Sequence, residues 1–270
     1  MPEGDTVFKL GAYLRPVLGG RRLVAGSVRG VPEARLAGVT LGEVYARGKH
    51  LFIELDGRRL LRSHLGMWGS WHAYAPGAAW RKPRRQASIV LDIGDRVLVC
   101  FNALQVEILR DAGVRRRAFD AMLGPDLIAR PLDIDGLLRR ARELAEPDTP
   151  IADVLLRQQI ASGIGNVYKS EVLFLECCDP ATPLVRVGDA LLTALYRQAA
   201  RLLRRNLHGG PRVTRWANDD AGGLWVYGRS GQPCLRCDGV IRSARLGARQ
   251  RATFWCPCCQ PAAGESRSGH

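Results

Sequence analysis

Two cysteine pairs and one terminal amine are the residues whose type and spacing point most directly to chemistry. Cys234-Leu235-Arg236-Cys237 is followed, after residues 238–255, by Cys256-Pro257-Cys258-Cys259. Two C-x-x-C pairs at this separation fit a tetrahedral site for one structural zinc ion, each pair forming a knuckle. The expected ligands are Cys234, Cys237, Cys256 and Cys259. Cys258 could replace Cys259 only through the less usual C-x-C spacing, so it is read as a bystander. Val240-Ile241-Arg242 and Thr253-Phe254-Trp255 read as the arms of a β-hairpin, which is too short to hold alone and would draw its folding energy from the metal. Cys100, Cys177 and Cys178 read as core residues.

At the other end the chain opens Met1-Pro2-Glu3-Gly4. Removal of an initiator Met leaves Pro2 with a free secondary amine, and α-amino groups titrate near neutrality. Such an amine attacks electrophilic carbon and loses water to give an iminium, and a neighbouring carboxylate such as Glu3 can move the protons. Alone the motif carries little weight, because proline in this position also follows from N-terminal processing.

The elements that must position these groups follow from composition and patterning. The 270 residues are enough for two domains, and 46% hydrophobic content supports a sizeable core. A net charge of +14 points to a polyanion, most often nucleic acid, although an arginine-rich proteome produces the same imbalance. No apolar run approaches membrane-spanning length, and the N-terminus lacks a secretory pattern, so a cytoplasmic, nucleoid-associated chain with reduced or metal-bound thiols is expected.

Apolar residues at 7, 10 and 14 suit a helix packed on a sheet. Leu51–Leu55 and Arg59–Arg62 flank Asp56-Gly57, and Ser88–Asp92 and Arg96–Cys100 flank Gly94-Asp95, two hairpin signals. The basic loop Arg81-Lys82-Pro83-Arg84-Arg85 suits a phosphate contact and a solvated loop equally. The pattern breaks down around 111–130, then helices follow. Thr149-Pro150 reads as an N-cap and first helical residue, and a long amphipathic helix over 189–206 carries Arg197, Arg201, Arg204 and Arg205.

The fold class expected is therefore α+β with two domains: an N-terminal antiparallel β-sandwich with flanking helices and a C-terminal helical domain ending in the zinc hairpin. The boundaries expected are 1–118 for the first domain, 119–130 for a linker, 131–222 for the helical domain, 223–262 for the zinc finger and 263–270 for a frayed tail.

Gly163-Ile164-Gly165-Asn166 separates two helical segments, at about 150–161 and 167–177, with Asn166 suited to cap the second. Such a turn aims free amides and a positive dipole end at an anion, here a DNA phosphate, although an ordinary αα-hairpin has the same pattern. Between Leu224 and Gln260 six arginines face one acid, Asp238, so the zinc hairpin is also expected to touch nucleic acid.

A terminal Pro-Glu-Gly, a β-rich domain, a Gly-x-Gly-Asn turn and a four-cysteine hairpin, in that order, resemble the formamidopyrimidine-DNA glycosylase and endonuclease VIII family. The resemblance extends through Arg47-Gly48-Lys49, Ser63-His64-Leu65-Gly66-Met67, Leu123-Gly124-Pro125-Asp126, Ser170-Glu171 and Val226-Tyr227-Gly228-Arg229. It implies a bifunctional DNA glycosylase/AP lyase of base-excision repair, a monomer acting on double-stranded DNA with a damaged base or abasic site. By the same resemblance Pro2 is the nucleophile at C1′ and Glu3 the general acid/base. Lys49 assists proton transfer and holds a phosphate. Gly163, Gly165 and Asn166 bind the DNA backbone, Arg251 grips phosphates and assists δ-elimination, and Met67 fills the gap left by a flipped base. Glu171 is expected to support the helix pair.

Departures bear on the substrate. Asp5-Thr6 replaces the usual Pro-Glu, Asn102–Val106 lacks the Arg-Arg-Phe of formamidopyrimidine enzymes, and the segment 211–223 is short. These favour an endonuclease VIII-like enzyme for oxidised pyrimidines. A formamidopyrimidine/8-oxoguanine-type glycosylase and an inactive damage-binding protein are the alternatives.

Overall fold

The computed structural model describes residues 2–32, 35–217, 219–248 and 250–262. Met1 and the tail at 263–270, to which initiator removal and fraying were assigned, lie outside them. The chain divides into two units, 1–122 and 123–270.

The first unit begins with helix α1 (Gly4–Leu18), which buries Val7, Leu14 and Leu18. Eight strands follow: β1 (Ala25–Val28), β2 (Leu41–Arg47), β3 (His50–Leu55), β4 (Arg59–His64), β5 (Ser70–Tyr74), β6 (Ala87–Asp92), β7 (Val97–Phe101) and β8 (Gln105–Arg110). They form two four-stranded antiparallel sheets, β1-β6-β7-β5 and β2-β3-β4-β8. The β3–β4 hairpin turns on Asp56 (φ 52°) and Gly57 (φ 67°), closed by Arg58 N–H donating to the Leu55 carbonyl at 3.2 Å. Both central residues have the positive φ that a turn matching strand twist requires. Inward residues such as Leu51, Ile53, Leu55, Leu61, Leu91 and Leu98 form one apolar core with α1. Arg15 Nε donates to the Val44 carbonyl at 3.0 Å and fixes α1 on β2.

Helix α2 (Ala112–Met122) occupies the stretch where sequence pattern alone shows only a basic break. One of its arginines finds partners instead of core: Arg116 pairs with Glu43 at 2.8 Å and lies over the Tyr45 ring.

The second unit contains α3 (Ile134–Leu144), α4 (Ile151–Leu156), α5 (Asn166–Leu175), α6 (Asp189–Arg205) and the hairpin β9 (Arg242–Leu246)–β10 (Arg251–Trp255). Asp133 caps α3 by accepting from Gly136 N–H at 2.9 Å. Thr149-Pro150 is displaced by one position from the expected cap: Pro150 is the N-cap, and Ile151 N–H donates to the Thr182 carbonyl at 2.8 Å. Helix α4 also stops well short of residue 161. The Gln158 side chain takes over there, accepting from Gly163 N–H and donating to the Leu156 and Ile164 carbonyls, each at 3.0 Å.

The Leu123-Gly124-Pro125-Asp126 segment braces that turn through an isolated bridge between Asp126 and Ser162. Gly124 N–H donates to the Gln158 carbonyl, and Ser162 N–H to the Pro125 carbonyl, each at 2.9 Å. A Cβ on Gly124 would lie 2.2 Å from the Ile160 carbonyl oxygen, so glycine is required by close approach. Gly124→Ala is therefore expected to cost about 3 kcal/mol through forced backbone movement. A denaturant titration of the variant checks this, and an unchanged midpoint would show that the segment yields freely.

Candidate active site and nucleic-acid interface

The candidate catalytic residues Pro2, Glu3 and Lys49 lie in the first unit. Glu3 is the N-cap residue of α1, extended at φ −123° and ψ −172° and fully buried, and its carbonyl accepts from Val7 N–H at 3.1 Å. The positive end of the helix favours a carboxylate in this place. Pro2, half-buried, directly precedes it. Asp5, at the position of the family's departure, is buried in the first turn of α1 and accepts from the Thr6 hydroxyl at 3.4 Å.

Lys49 lies in the two-residue turn between β2 and β3, one residue before the strand at which sequence places it, with Arg47 paired to His50 and Gly48 at φ 56°. Beside it, the rings of His50 and His64 are 4.8 Å apart. Burial, then His64, Arg62 and Lys49, push the His50 pKa down to about 3. Burial, then Lys49 and Arg62, push His64 down to about 4. Both imidazoles are thus neutral near physiological pH.

Met67 projects from the β4–β5 turn, 50% exposed. The turn requires Gly66 at φ 64°, and a Cβ on Gly69 would lie 2.4 Å from the Leu65 carbonyl oxygen. Two residues that sequence reading missed share its character: Trp68 and, from the β7–β8 turn, Leu104, at 75% and 65% exposure. Leu104 N–H donates to the His64 carbonyl at 2.9 Å, holding the two turns together. For Trp68, the available signal was a large apolar residue between the turn glycines Gly66 and Gly69.

In the second unit the Gly163–Asn166 turn leads into α5. Gly163, at φ 116°, occupies a conformation open to glycine. The N-cap is Gly165, extended and without a side-chain bond, whereas Asn166 was expected there. Asn166 is the first helical residue, because the extended backbone needed at a cap falls one position earlier. Its side-chain amide forms no hydrogen bond among the described residues. Arg251 begins β10, opposite Leu246, and is exposed.

The turn and the hairpin are tied together through α5, whose residues Asn166–Phe174 are all buried. Lys169 Nζ donates to the Ala252 carbonyl at 2.9 Å and to Thr253 Oγ1 at 2.8 Å, while Ser170 Oγ accepts from Phe254 N–H at 3.3 Å. Glu171 accepts backbone N–H groups from Trp225, Val226 and Tyr227 at 2.8, 2.9 and 2.8 Å, and also bonds the Thr214 hydroxyl. It supports the loop before the zinc finger rather than the partner helix.

Cys234, Cys237, Cys256 and Cys259 bring their sulfurs within 4.8 Å of one another, with Sγ–Sγ contacts of 3.4–3.9 Å between free thiols. Tetrahedral Zn–S bonds of ~2.3 Å require sulfurs about 3.8 Å apart, so the site fits zinc. Cys258 is exposed and outside the cluster. Cys100 and Cys178 are core residues, but Cys177 is only half-buried at φ 52°, where the chain reverses after α5, and accepts from Arg236 Nη1 at 3.2 Å.

Two measurements test these sites. Cys234→Ser is expected to lower bound zinc from one equivalent to none at nanomolar free metal and to unfold the hairpin; unchanged metal content would refute the ligand set. The neutral histidines set a pH dependence. Both pKa values lie below the ordinary 6.5, so their contribution to stability is complete above that pH and is lost as pH falls towards 4 and then 3. Between pH 7.5 and 5 the unfolding free energy is expected to fall by about 2–3 kcal/mol from this pair, allowing for partial exposure. Urea titrations of His50→Gln/His64→Gln should lack this portion of the slope.

The comparisons with known proteins follow the same order along the chain. The formamidopyrimidine-DNA glycosylase N-terminal domain matches residues 1–105, the formamidopyrimidine-DNA glycosylase H2TH domain residues 123–216, and the zinc finger found in FPG and IleRS residues 231–262. Probable endonuclease 8 2 of Streptomyces coelicolor is 38% identical over 266 residues, spanning 96% of this chain and 94% of that protein. The DNA-(apurinic or apyrimidinic site) lyase Nei2 of Mycolicibacterium smegmatis is 38% identical over 265 residues, covering 97% and 100%. In fold, the chain is similar to Lactococcus lactis Fpg in complex with an abasic site containing DNA, with a TM-score of 0.81 at 22% identity, covering 96% of this chain and 99% of that one. Matched from its opening residues to its zinc finger, the chain belongs to the formamidopyrimidine-DNA glycosylase and endonuclease VIII family.

Proposed function

We propose that the protein is a bifunctional DNA glycosylase/AP lyase of base-excision repair, with Pro2 as nucleophile. The observation that carries this is the amine-bearing residue placed directly before a buried helix-terminal carboxylate, Glu3, in a member of this family. The Pro2 nitrogen attacks C1′ of the damaged nucleotide, the glycosidic C–N bond breaks, and the base leaves with a proton. Glu3 moves protons at the sugar as the ring opens and the iminium forms. Loss of the C2′ proton then breaks the 3′ C–O bond, and a second elimination breaks the 5′ C–O bond. Water releases Pro2 and the sugar fragment.

Lys49 steadies a phosphate and assists proton transfer from the β2–β3 turn. Gly163 and Gly165 shape the turn that brings Asn166 to a backbone phosphate, and Arg251 supplies a guanidinium on the exposed end of β10. Met67 fills the space left by the extruded nucleotide, with Trp68 and Leu104 extending its apolar surface. The zinc has no part in the reaction and holds the hairpin that carries Arg251.

The substrate class is oxidised pyrimidines and abasic sites in double-stranded DNA. Two features support that branch: relatives named endonuclease 8 are 38% identical, and the β7–β8 turn offers Leu104 where formamidopyrimidine enzymes carry Arg and Phe. The protein acts as a monomer in the cytoplasm, on the nucleoid.

Borohydride trapping on abasic-site duplex tests the nucleophile. A covalent adduct on the N-terminal peptide is expected, and it should vanish when an uncleaved N-terminal extension turns the Pro2 nitrogen into an amide. An adduct that survives the extension would remove Pro2 from the mechanism. Strong cutting of 8-oxoguanine paired with C, without cutting of thymine glycol or dihydrouracil, would overturn the branch.

A further inference from the structure

The arginines that sequence analysis singles out on the last helix have no role in the reaction above, yet the fold gathers them. Arg197, Arg201 and Arg205 lie at four-residue intervals on α6, about 6 Å apart along its axis. With Arg130 and Arg204 they line an open cleft of about 680 Å3 within the second unit, over a floor that includes Leu132 and Ile134. No carboxylate lines it among the described residues.

The guanidiniums are held to different degrees. Arg204 donates to the Ile128 carbonyl at 3.2 Å and to the Ala129 carbonyl, and Arg201 Nε donates to Gln198 Oε1 at 3.0 Å. Arg130 and Arg197 form no hydrogen bond or ion pair among the described residues. Partial burial, then repulsion from Arg130, outweighs Asp126 and lowers the Arg204 pKa. At the end of the row the Arg205 guanidinium stacks on Trp216 at 3.6 Å from the ring centre, leaving the indole 45% exposed.

We propose that this cleft is a second nucleic-acid site, taking the phosphodiester backbone of an unpaired strand along the α6 arginines and stacking a base near Trp216. It shares no residue with the Gly163–Asn166 turn or the β9–β10 hairpin. Planar guanidinium forks match phosphate oxygens in pairs. A cationic groove with an aromatic platform suits single strands, whose bases are free to stack, whereas a duplex keeps its bases inside. The exposed Arg–Trp stack is what favours a nucleic acid over an acidic peptide. The inference does not rest on the proposed reaction.

Anisotropy of a labelled oligothymidine strand, titrated with the full-length protein over a range of salt, tests it. For Arg130→Ala/Arg197→Ala/Arg201→Ala the dissociation constant is expected to rise at least about tenfold, and the salt slope to fall by about 2, three contacts at ~0.7 each. Trp216→Ala should weaken binding about tenfold with an unchanged slope. Excess unlabelled abasic duplex should leave residual strand binding in the wild type and none in the triple variant. Nicking of a short abasic duplex should stay within about twofold, which separates this site from the proposed active site. A folded triple variant with wild-type strand affinity and slope overturns the proposal. So does a variant that loses polyglutamate binding while keeping the oligonucleotide. If the triple variant fails to fold, Arg197→Ala alone should still lower the slope by about 0.7, and an unchanged slope overturns the proposal.

Discussion

The second unit depends on one helix buried on every side that nevertheless carries two charges. Lys169 and Glu171 are both at 0% exposure, a placement that costs several kcal/mol per ion unless each charge is fully satisfied. Glu171 accepts from three successive backbone N–H groups and a hydroxyl, and Lys169 donates to a carbonyl and a hydroxyl among its contacts. The two partner sets belong to different elements, the loop at 225–227 and strand β10. Losing either set strands a buried charge, so both are held to α5 more tightly than neutral contacts would hold them. The N-terminus of the same helix is the Gly163–Asn166 turn. The turn, the loop and the zinc hairpin are therefore fixed relative to one another by a single element.

The zinc site and the α5 anchor divide the work of holding the hairpin. Zinc closes the base of β9–β10 through the four sulfurs, and Lys169 and Ser170 fix the β10 edge that ends in Arg251. A two-stranded hairpin is marginal in water, and metal alone would leave its tip free to swing. The Tyr227 and Phe254 rings, 4.9 Å apart, add a packed contact between the anchored loop and the hairpin. Arg251 is placed by this double attachment, although its own side chain is exposed.

Much of this was legible in the sequence because it rests on local rules. The Cys pairs, the Asp56-Gly57 turn and the amphipathic stripe of α6 depend on spacing, and the structure places each where spacing puts it. Failures occur where tertiary partners override local preference. Asn166 is a better cap than glycine in isolation, but the extended backbone falls at Gly165. Glu171 reads as a support of the helix pair, but nothing in the spacing of Lys169 and Glu171 reveals that both faces of α5 are covered. The Arg115-Arg116-Arg117 run reads as a break because its helix is stabilised by Glu43 and the Tyr45 ring, both distant in sequence. Trp68 and Leu104 were missed because exposed apolar residues on turns have no periodicity to detect.

The opening residues show how the fold converts an ordinary terminus into a candidate reagent. A chain terminus is usually mobile and solvated, which would leave a Pro2 amine indistinguishable from any other. Here Pro2 is half-buried and Glu3 fully so, because α1 starts at Gly4 and is packed into the core by Val7, Leu14 and Leu18. The positive end of the α1 dipole lies beside Pro2 and disfavours a second cation there. The Glu3 carboxylate acts in the opposite sense and offers a place for the proton to go. A neutral amine with an acceptor one residue away is what attack at a sugar carbon needs. The anchoring of α1 in the core is what holds these two residues in place.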